Sequence, residues 1–399
     1  MTNYHCINIK AILLFFLQIC CIGFVFSQNE QSDSKLKNNW LIEGGVRYGM
    51  LSAYTSDTYL KGTEVFGGDL WLGKQTTGQK EWEQWFDYPS YGLMLRFGAF
   101  NNPMLKWKAA ALGYLNGHIF RRSFFSLNYE FGGGLVFFPH PYDSVTNPRN
   151  RFIGTPISAH FNMALSANFK ITKQLDLKSM IVFSHSSNGA MRLPNIGVNM
   201  ASGELGLRYY VKNRPQYIKT IDTIRRFSPI NTLYFYAAPS FKQSRHDYFP
   251  DSYSNDTYYF TSTLQFGFMR QGHPIFRYGM GVEVFYNASM NAGLPDSLKS
   301  VQNCIAPGIY AGMELLYNRF VVHAGLGVYV YHPTKQYEPV YERFGCKVLL
   351  GKSRKHFVGV TIKAHNVTAD YFEWMYGYEF FSWKDKKFSV RLNKKSNEF

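Results

Sequence analysis

Apolar and polar residues alternate along most of this chain. In the stretch HAGLGVYVY, from His323 to Tyr331, the side chains of Ala324, Leu326 and Val328 fall on one face, while histidine, glycine and tyrosine occupy the other. A period of two is typical of a β-strand with one apolar face, because successive side chains point to opposite sides. The pattern therefore predicts a chain rich in strands that are apolar on one side.

The alternation recurs in sixteen segments, whose lengths suit strands that cross a bilayer at a tilt. Aromatic residues concentrate near many of the segment ends, as in the aromatic girdles of membrane β-barrels. The predicted strands are Trp40–Ala53, Val65–Lys74, Gly92–Phe100, Trp107–Arg121, Ser123–Phe138, Pro156–Ile171, Leu175–Ser187, Asn199–Lys212, Thr232–Lys242, Tyr258–Arg270, Ile275–Asn287, Ile305–Tyr317, Phe320–His332, Val340–Leu350, His356–His365 and Tyr371–Trp383.

The connections between these strands alternate in length from the fourth strand onward. Short links such as RRS, ITKQ and GHP alternate with longer polar ones such as HPYDSVTNPRNR and NASMNAGLPDSLKSVQNC. Bacterial barrels have short periplasmic turns and longer loops outside the cell. Two long connections, residues 75–91 and 213–231, fall on the side of the short turns, and the second is the predicted seam between two halves of the chain.

We predict an all-β fold, an antiparallel transmembrane β-barrel of about 14 to 16 strands. Two eight-stranded barrels in tandem fit the same pattern. A single barrel is preferred, because no linker rich in Ser, Pro or Gly separates the halves at 28–212 and 213–399, of which the second ends in a basic tail. A soluble β-sandwich is the remaining alternative, but it would not need aromatic residues at so many strand ends.

The first 27 residues have the features of a secretory signal peptide. Lys10 precedes the apolar run AILLFFLQICCIGFVF, which is short for a membrane-spanning helix, and cleavage is expected after Ser27. The mature chain would keep only Cys304 and Cys346. An oxidising compartment allows a disulfide between them, although two unpaired cysteines are slightly favoured.

One polar stretch, SHSSNGAMRLPNIGVN at residues 184–199, stands out from this pattern. His185 and Ser187 share the apolar face of the seventh strand with Ile181, and Asn199 lies on the apolar face of the next strand. In a membrane barrel that face meets lipid, where a polar group is costly unless it is satisfied or used. The stretch is therefore a candidate active site, and the alternative is that it lies in the headgroup zone, where the cost is small.

The same stretch resembles the signature of the PagL-type lipid A 3-O-deacylases, outer-membrane barrels often labelled acyloxyacyl hydrolases. Their motif has the form H-x-S-N, then P-N-x-G, then an acidic residue or Asn. The resemblance extends to EWEQWFDYPSYGLML and GGLVFFPHPYDSVTNPRNRFIGT and covers residues 40–211, whereas KAHNVTADYFEWMYGYEFF in the second half lacks the H-x-S pair. The matching residues are His185, Ser187, Asn188, Pro194, Asn195, Gly197 and Asn199.

The resemblance implies a role for each polar residue of the motif. Ser187 matches the nucleophile, His185 the general base and Asn195 the side chain that helps to stabilise the oxyanion, with Asn188 as a supporting residue. Asn199 stands where the best-known members have a Glu that orients the histidine. An Asn holds an imidazole tautomer but does not offset the charge of the imidazolium, so we expect activity lower than in Glu-bearing relatives, or none.

The resemblance implies a serine esterase that removes an ester-linked acyl chain from the lipid A of lipopolysaccharide, in the outer membrane of a diderm bacterium, with the long loops extracellular. The alternative is a barrel without catalysis, a porin or structural protein that keeps a relic motif. A formal net charge of +16 fits anionic partners such as lipid A phosphates and other outer-membrane lipids. No cofactor or metal site is predicted, the predicted compartment excludes nucleic acid, and the oligomeric state stays open.

Overall fold

The computed structural model describes residues 39–52, 59–212, 214–218, 224–244, 257–332, 338–385 and 390–393. The predicted signal peptide lies outside these residues. The strands are β1 (Trp40–Leu51), β2 (Glu64–Gln75), β3 (Ser90–Phe100), β4 (Trp107–Arg121), β5 (Phe125–Phe137), β6 (Ile157–Lys170), β7 (Leu175–Ser187), β8 (Val198–Tyr210), β9 (Ile224–Phe227), β10 (Ile230–Lys242), β11 (Tyr259–His273), β12 (Phe276–Asn287), β13 (Ile305–Tyr317), β14 (Phe320–Tyr329), β15 (Val340–Leu350), β16 (His356–His365), β17 (Thr368–Lys384) and β18 (Val390–Asn393). One helix, α1 (Glu81–Trp85), lies between β2 and β3, and three 3-10 turns (Ala288–Asn291, Asp296–Leu298 and Gln302–Cys304) lie between β12 and β13.

The strands close into two antiparallel barrels. Strands β1 to β8 form the first barrel and β10 to β17 the second, and all sixteen correspond to the predicted strands. The first barrel closes where β1 pairs with β8, with Gly45 opposite Gly206, and the second where β10 pairs with β17. The two short strands outside the barrels, β9 and β18, pair with each other.

The all-β barrel fold is confirmed in its tandem form, and the preference for a single barrel is wrong. That preference rested on the missing Ser-, Pro- or Gly-rich linker, but the described residues 214–218 after β8 are held against the first barrel by hydrogen bonds and an ion pair. The Ile218 amide donates to the Thr77 carbonyl (2.7 Å), and the Tyr88 hydroxyl donates to the Ile218 carbonyl (3.2 Å). Arg214 of the same segment forms an ion pair with Asp176.

Side chains alternate between the inside and the outside of each barrel, except at register shifts in the pairings β4–β5, β10–β17, β11–β12 and β16–β17. On β7, Met180 and Val182 are buried in the interior, whereas the outward Ile181 is 75% exposed. Large apolar side chains cover the outer surfaces of both barrels, for example Leu205 on β8 and Leu264 on β11. An outward apolar surface of this kind is the face that a membrane barrel turns to lipid.

Paired charges fill the interior of the first barrel. Lys178 contacts Glu43 (2.6 Å) and Glu130 (3.3 Å), and Arg96 contacts Asp69 (2.6 Å). All five side chains are buried, so the charges compensate one another away from water.

The second barrel is filled in the same way. Arg343 lies 2.5 Å from Glu373, and Lys347 lies 2.5 Å from Glu314. Tyr236 adds its hydroxyl to this network by accepting from Arg343 (2.7 Å). An eight-stranded barrel is narrow enough for side chains to fill it, and both interiors fit that rule.

The long and short connections lie at opposite ends of each barrel, as predicted from their alternation. In the first barrel, residues 138–156 and 188–197 belong to the long-loop end, and residues 122–124 and 171–174 belong to the short-turn end. In the second barrel, β16 and β17 depart from this rhythm, because only Asn366 and Val367 join them at the long-loop end.

Residues 75–91, the other exception to the rhythm, contain α1 at the short-turn end of the first barrel. This segment contacts the second barrel: the ring of Phe86 stacks on Tyr317 with centroids 4.0 Å apart, and Trp85 meets His273 at 4.7 Å. This long connection therefore carries a surface that contacts the neighbouring barrel.

Aromatic side chains cluster near both ends of the strands. Phe97 and Trp107 lie 5.9 Å apart at the long-loop end of the first barrel, and Phe125 and Phe169 lie 5.0 Å apart at its short-turn end.

Among the described residues, no helix has the length and apolarity of a membrane-spanning helix. Cys304 and Cys346 form no disulfide bond with each other, in agreement with the favoured prediction.

Candidate active site

The candidate site is built on β7, β8 and the loop between them, at the long-loop end of the first barrel. His185 and Ser187 lie at the end of β7 with their side chains on the outer face, flanked by Ser184 and Ser186, which are buried in the interior. Asn199 is paired directly with His185 across the two strands. The alternation of the strands therefore places the three polar residues on the apolar outer surface, as predicted.

The imidazole of His185 is oriented by Asn199. Its Nδ1 atom lies 2.6 Å from Oδ1 of Asn199. Because an amide oxygen only accepts, Nδ1 carries the hydrogen and Nε2 keeps its lone pair. Asn199 thus selects the tautomer in which Nε2 is available as a base.

The hydroxyl of Ser187 lies among hydrogen-bond donors from the loop. Its Oγ atom accepts from Nδ2 of Asn195 (2.7 Å) and from the backbone N–H of Gly189 (3.1 Å). Oδ1 of Asn195 in turn accepts from the backbone N–H of Asn188 (3.2 Å), which fixes the orientation of the amide. Two donors therefore converge on the Ser187 oxygen, one from a side chain and one from the backbone.

The structure thus brings the predicted residues together as two pairs, His185 with Asn199 and Ser187 with Asn195. Within the described part of the chain, no hydrogen bond joins His185 to Ser187 directly. In proteins without substrate, such contacts are often longer than in the reacting complex. Because the two residues are two apart on one strand, their backbones lie about 6.6 Å apart, which is within reach of an imidazole and a hydroxyl.

The loop that carries these donors is held by the neighbouring loop, residues 138–156. The amide of Asn188 donates to the carbonyl of Arg192 (2.8 Å) and to Oγ1 of Thr155 (3.3 Å). Further along, the N–H of Ile196 donates to the Arg151 carbonyl (3.2 Å). Asn188 therefore forms hydrogen bonds within the site through both its side chain and its backbone.

Gly197 lies against the imidazole ring. A Cβ atom at this position would be 2.9 Å from Cε1 of His185, and the residue has a φ of +84°. Its N–H donates to the Phe152 carbonyl (2.9 Å). Only glycine combines this backbone conformation with the close approach of the ring.

Glu204 does not replace the missing acidic residue of the motif. It lies in the interior of the barrel, 3.7 Å from Arg96, on the other side of the wall from His185. The interior also holds a second histidine–serine contact, in which Nδ1 of His160 lies 2.8 Å from Oγ of Ser186. Ser186 and His160 are both buried, so this pair lies inside the barrel, whereas His185 and Ser187 lie on the outside.

Basic side chains are exposed above the site. Arg149, Arg151 and Arg192 are exposed on the two loops that contact each other at this end of the barrel. Asp143 lies in the same region, where hydrogen bonds from the backbone and hydroxyl of Thr146 lower the pKa of its carboxyl. The three arginines outnumber this carboxylate, so the surroundings of the site favour an anionic ligand.

No group of three or more His, Cys, Asp or Glu side chains lies together as a metal site among the residues that the structure describes. The predicted site residues are hydroxyl, imidazole and amide groups. This donor set suits acyl transfer by a serine nucleophile.

Solved structures with some likeness to this chain include three barrel proteins. CdiB from Acinetobacter baumannii is 8% identical, with a TM-score of 0.18, 87% of this chain covered and 60% of that protein. The TodX monoaromatic hydrocarbon channel (deltaS2 mutant) is 9% identical at a TM-score of 0.17, with 90% of this chain and 91% of that one covered. The Acinetobacter baumannii outer membrane protein Omp33 is 7% identical at 0.17, with 87% and 100% covered. These TM-scores are too low to bear on fold or function.

Comparison of the sequence with protein families gives a clearer result. No curated protein matches the chain. The family described as lipid A 3-O-deacylase (PagL) matches residues 70–208, and the one described as acyloxyacyl hydrolase, C-terminal domain, matches residues 231–383. The two matches fall on the first and the second barrel and together span more than half of the chain. The chain belongs to the PagL family of lipid A deacylases.

Proposed function

We propose that this protein is an outer-membrane serine esterase that removes one ester-linked acyl chain from lipid A. The main support for this proposal is one observation. The oriented imidazole of His185 and the hydroxyl of Ser187, which accepts two hydrogen bonds, lie on the same outward apolar face of the first barrel. His185 is held by Asn199 at 2.6 Å, and Ser187 accepts from Asn195 at 2.7 Å. A site on this face receives a lipid that diffuses in laterally, without a water-filled channel.

The first half of the reaction forms an acyl-enzyme. Nε2 of His185 takes the hydroxyl proton of Ser187 while Oγ forms a bond to the ester carbonyl carbon, whose oxygen becomes an oxyanion. The bond from that carbon to the lipid A oxygen then breaks, and the imidazolium gives its proton to the departing oxygen. In the second half, water attacks the acyl-enzyme with His185 as base, which releases the fatty acid and restores Ser187.

The donors around Ser187 serve the oxyanion. In the substrate-free structure, Asn195 and the N–H of Gly189 donate to Oγ of Ser187 itself. When Oγ turns to the carbonyl carbon, these donors are left for the carbonyl oxygen, which gains charge in the transition state. Fixed donors at such a position are worth about 3 to 4 kcal/mol each in other hydrolases.

Asn199 limits the rate in this mechanism. It orients the imidazole but carries no negative charge, so the imidazolium that forms during proton transfer is not compensated from that side. The acidic Glu204 lies inside the barrel and contacts Arg96, so it does not supply the missing charge. We therefore expect a slow but real deacylase.

The outer surface beside the site suits an acyl chain. On β6, Ala159 lies opposite Ser187 and Phe161 opposite His185, and on β8 Ala201 follows two residues after Asn199 on the same face. Small alanine side chains leave room against the wall, next to the apolar ring of Phe161. The exposed arginines of the loops above would meet the phosphates of lipid A.

We place the protein in the outer membrane of a diderm bacterium, with the long-loop ends outside. The apolar outer surfaces, the aromatic clusters near both ends and family membership support this. Trypsin applied to intact cells should then cut at the exposed Arg149 and Arg192. Cleavage at Arg122, at the short-turn end, with none at the long loops would reverse the topology.

We propose that the halves 28–212 and 213–399 are the domains of the mature chain, the first with the catalytic site.

A porin is poorly supported, because buried charge pairs fill both eight-stranded interiors. A relic barrel without catalysis is the alternative, and Asn199 is the observation in its favour.

The test uses matched pairs of serine and histidine variants. Ser187→Ala and His185→Ala should abolish the loss of one acyl group from lipid A, measured by mass spectrometry on purified protein in detergent. Ser186→Ala and His160→Ala, which change the buried pair on the inner side of the same wall, should retain it. A wild-type protein that releases no fatty acid from lipid A would establish the relic barrel.

A further inference from the structure

The loop that carries the oxyanion donors contacts the second barrel as well as the first. We propose that the second barrel is a positioning element for this loop, and that Gln243 and Phe372 are its positioning residues. The inference rests on the proposed function for its catalytic consequence, but the contacts themselves are independent of it.

Gln243, which follows β10, binds the loop at two places. Its Oε1 atom accepts from the N–H of Leu193 (2.7 Å), and its own backbone N–H donates to the carbonyl of Ala190 (3.3 Å). Gln243 is buried, so these bonds are shielded from water. The two contacts fix the loop on both sides of Arg192, between the donor residues Gly189 and Asn195.

Phe372 on β17 packs against Gly189, whose backbone N–H is one of the two donors to Ser187. A Cβ atom on Gly189 would lie 2.9 Å from Cβ of Phe372, so the two backbones are in close contact. Gly189 has a φ of +61°, and in this conformation its N–H points at Oγ of Ser187. The hydroxyl of Ser240 donates to the Phe372 carbonyl and anchors this part of β17.

Contacts at the opposite end of the barrels make this support rigid. Phe86 stacks on Tyr317, and Trp85 meets His273, both at the short-turn ends. The two barrels thus touch at both ends, and the second barrel cannot swing away from the loop without breaking the aromatic contacts as well.

Among its described residues, the second barrel has no counterpart of the His185 and Ser187 pair at the matching position. Its seventh and eighth strands, β16 and β17, are joined by Asn366 and Val367 alone, and β16 ends without a histidine and serine two residues apart. The matching connection is therefore short, and Phe372 near the start of β17 lies against the loop of the first barrel.

Digestion with trypsin measures how firmly Gln243 holds the loop. The Leu193 N–H that donates to Gln243 belongs to the Arg192–Leu193 peptide bond, which is the bond that trypsin cleaves. Gln243→Met keeps the length of the side chain and removes its acceptor, whereas Gln243→Glu keeps an acceptor oxygen. We expect cleavage after Arg192 to be about tenfold faster in Gln243→Met and in Phe372→Ala than in the wild type. Gln243→Glu and the controls Gln271→Met and Phe266→Ala, elsewhere on the second barrel, should be cut at the wild-type rate.

The full-length variants are then assayed on lipid A in detergent. In Gln243→Met and Phe372→Ala, kcat should fall about tenfold, because the oxyanion donors carried by the loop are misplaced. Unchanged cleavage after Arg192 in both variants would overturn the proposal, and so would faster cleavage with an unchanged kcat. If the wild type itself releases no fatty acid, the proposed function fails, and the rate of cleavage still decides whether the second barrel holds the loop.

Discussion

Nδ1 of His185 lies 2.6 Å from Oδ1 of Asn199, a residue directly opposite it on the neighbouring strand. Direct cross-strand pairing fixes the two side chains on one face at a constant spacing. The hydrogen bond that orients the imidazole thus follows from the strand register. What the pair lacks is a negative charge.

Replacing Asn199 by Glu should raise the deacylation rate. A carboxylate holds the same tautomer and also stabilises the imidazolium that forms during proton transfer, so we expect a gain of about tenfold or more in kcat. Release of fatty acid from lipid A measures it. Asn199→Ala, which removes the orienting oxygen, should be slower than the wild type, and an Asn199→Glu rate at or below that of Asn199→Ala would contradict the assigned role.

Replacing Gly197 by Ala should damage the site more than the fold. The new methyl group would lie 2.9 Å from Cε1 of His185, at a φ of +84°. We expect a loss of about 1 to 2 kcal/mol in the free energy of unfolding and at least tenfold in kcat. Gly203→Ala on β8 is the control, because a Cβ there meets nothing within 4 Å. Equal activity in the two variants would show that the ring is not held where the structure has it.

Removing the arginines above the site should weaken the binding of phosphorylated substrate. Arg151 and Arg192 are exposed on touching loops, and each would form a charge-assisted contact with a lipid A phosphate. For the double change to Ala we expect KM on lipid A to rise about tenfold, with no change on a neutral ester of similar chain length. Arg122→Ala, at the opposite end of the barrel, should have no effect on either substrate. A parallel rise of KM for both esters would exclude phosphate recognition.

Replacing the buried Lys178 should destabilise the first barrel. Lys178 contacts Glu43 (2.6 Å) and Glu130 (3.3 Å) in the interior, and Lys178→Met leaves both carboxylates without that partner. The expected cost is about 3 to 5 kcal/mol, seen as a lower temperature for the loss of the compact band in gel electrophoresis. The exposed pair of Lys299 and Asp296 provides the contrast, since Lys299→Met should change stability by at most about 0.5 kcal/mol. A similar shift in both variants would mean that the interior pair is not structural.

The positions of the strands were predictable because apolar and polar residues alternate with a period of two along each of them. The pattern located every barrel strand and placed Ser187 and His185 on the outer face. It did not decide whether β8 pairs with β1, as in two barrels, or with β10, as in a single barrel, since both pairings satisfy the same alternation. Closure depends on register over a long sequence distance, and the alternation carries no information about it.

Contacts made by isolated polar residues were not predictable either. Gln243 accepts from Leu193 across fifty positions, and neither residue belongs to a motif. The N–H of Gly189 is a backbone donor, so its direction follows from a φ of +61° and not from its side chain. The motif predicted which residues form the candidate site, while the groups that hold them became visible only in the folded chain.

Neither barrel presents an unpaired strand edge, because β8 returns to β1 and β17 returns to β10. The two barrels are therefore separate cooperative units, linked through side chains, loops and the segment between β8 and β10 rather than through a shared ladder. Denaturation of the whole protein should then pass through a state in which one barrel has opened and the other persists. For the same reason, substitutions in the strands of the second barrel leave every backbone hydrogen bond in the wall of the first barrel intact.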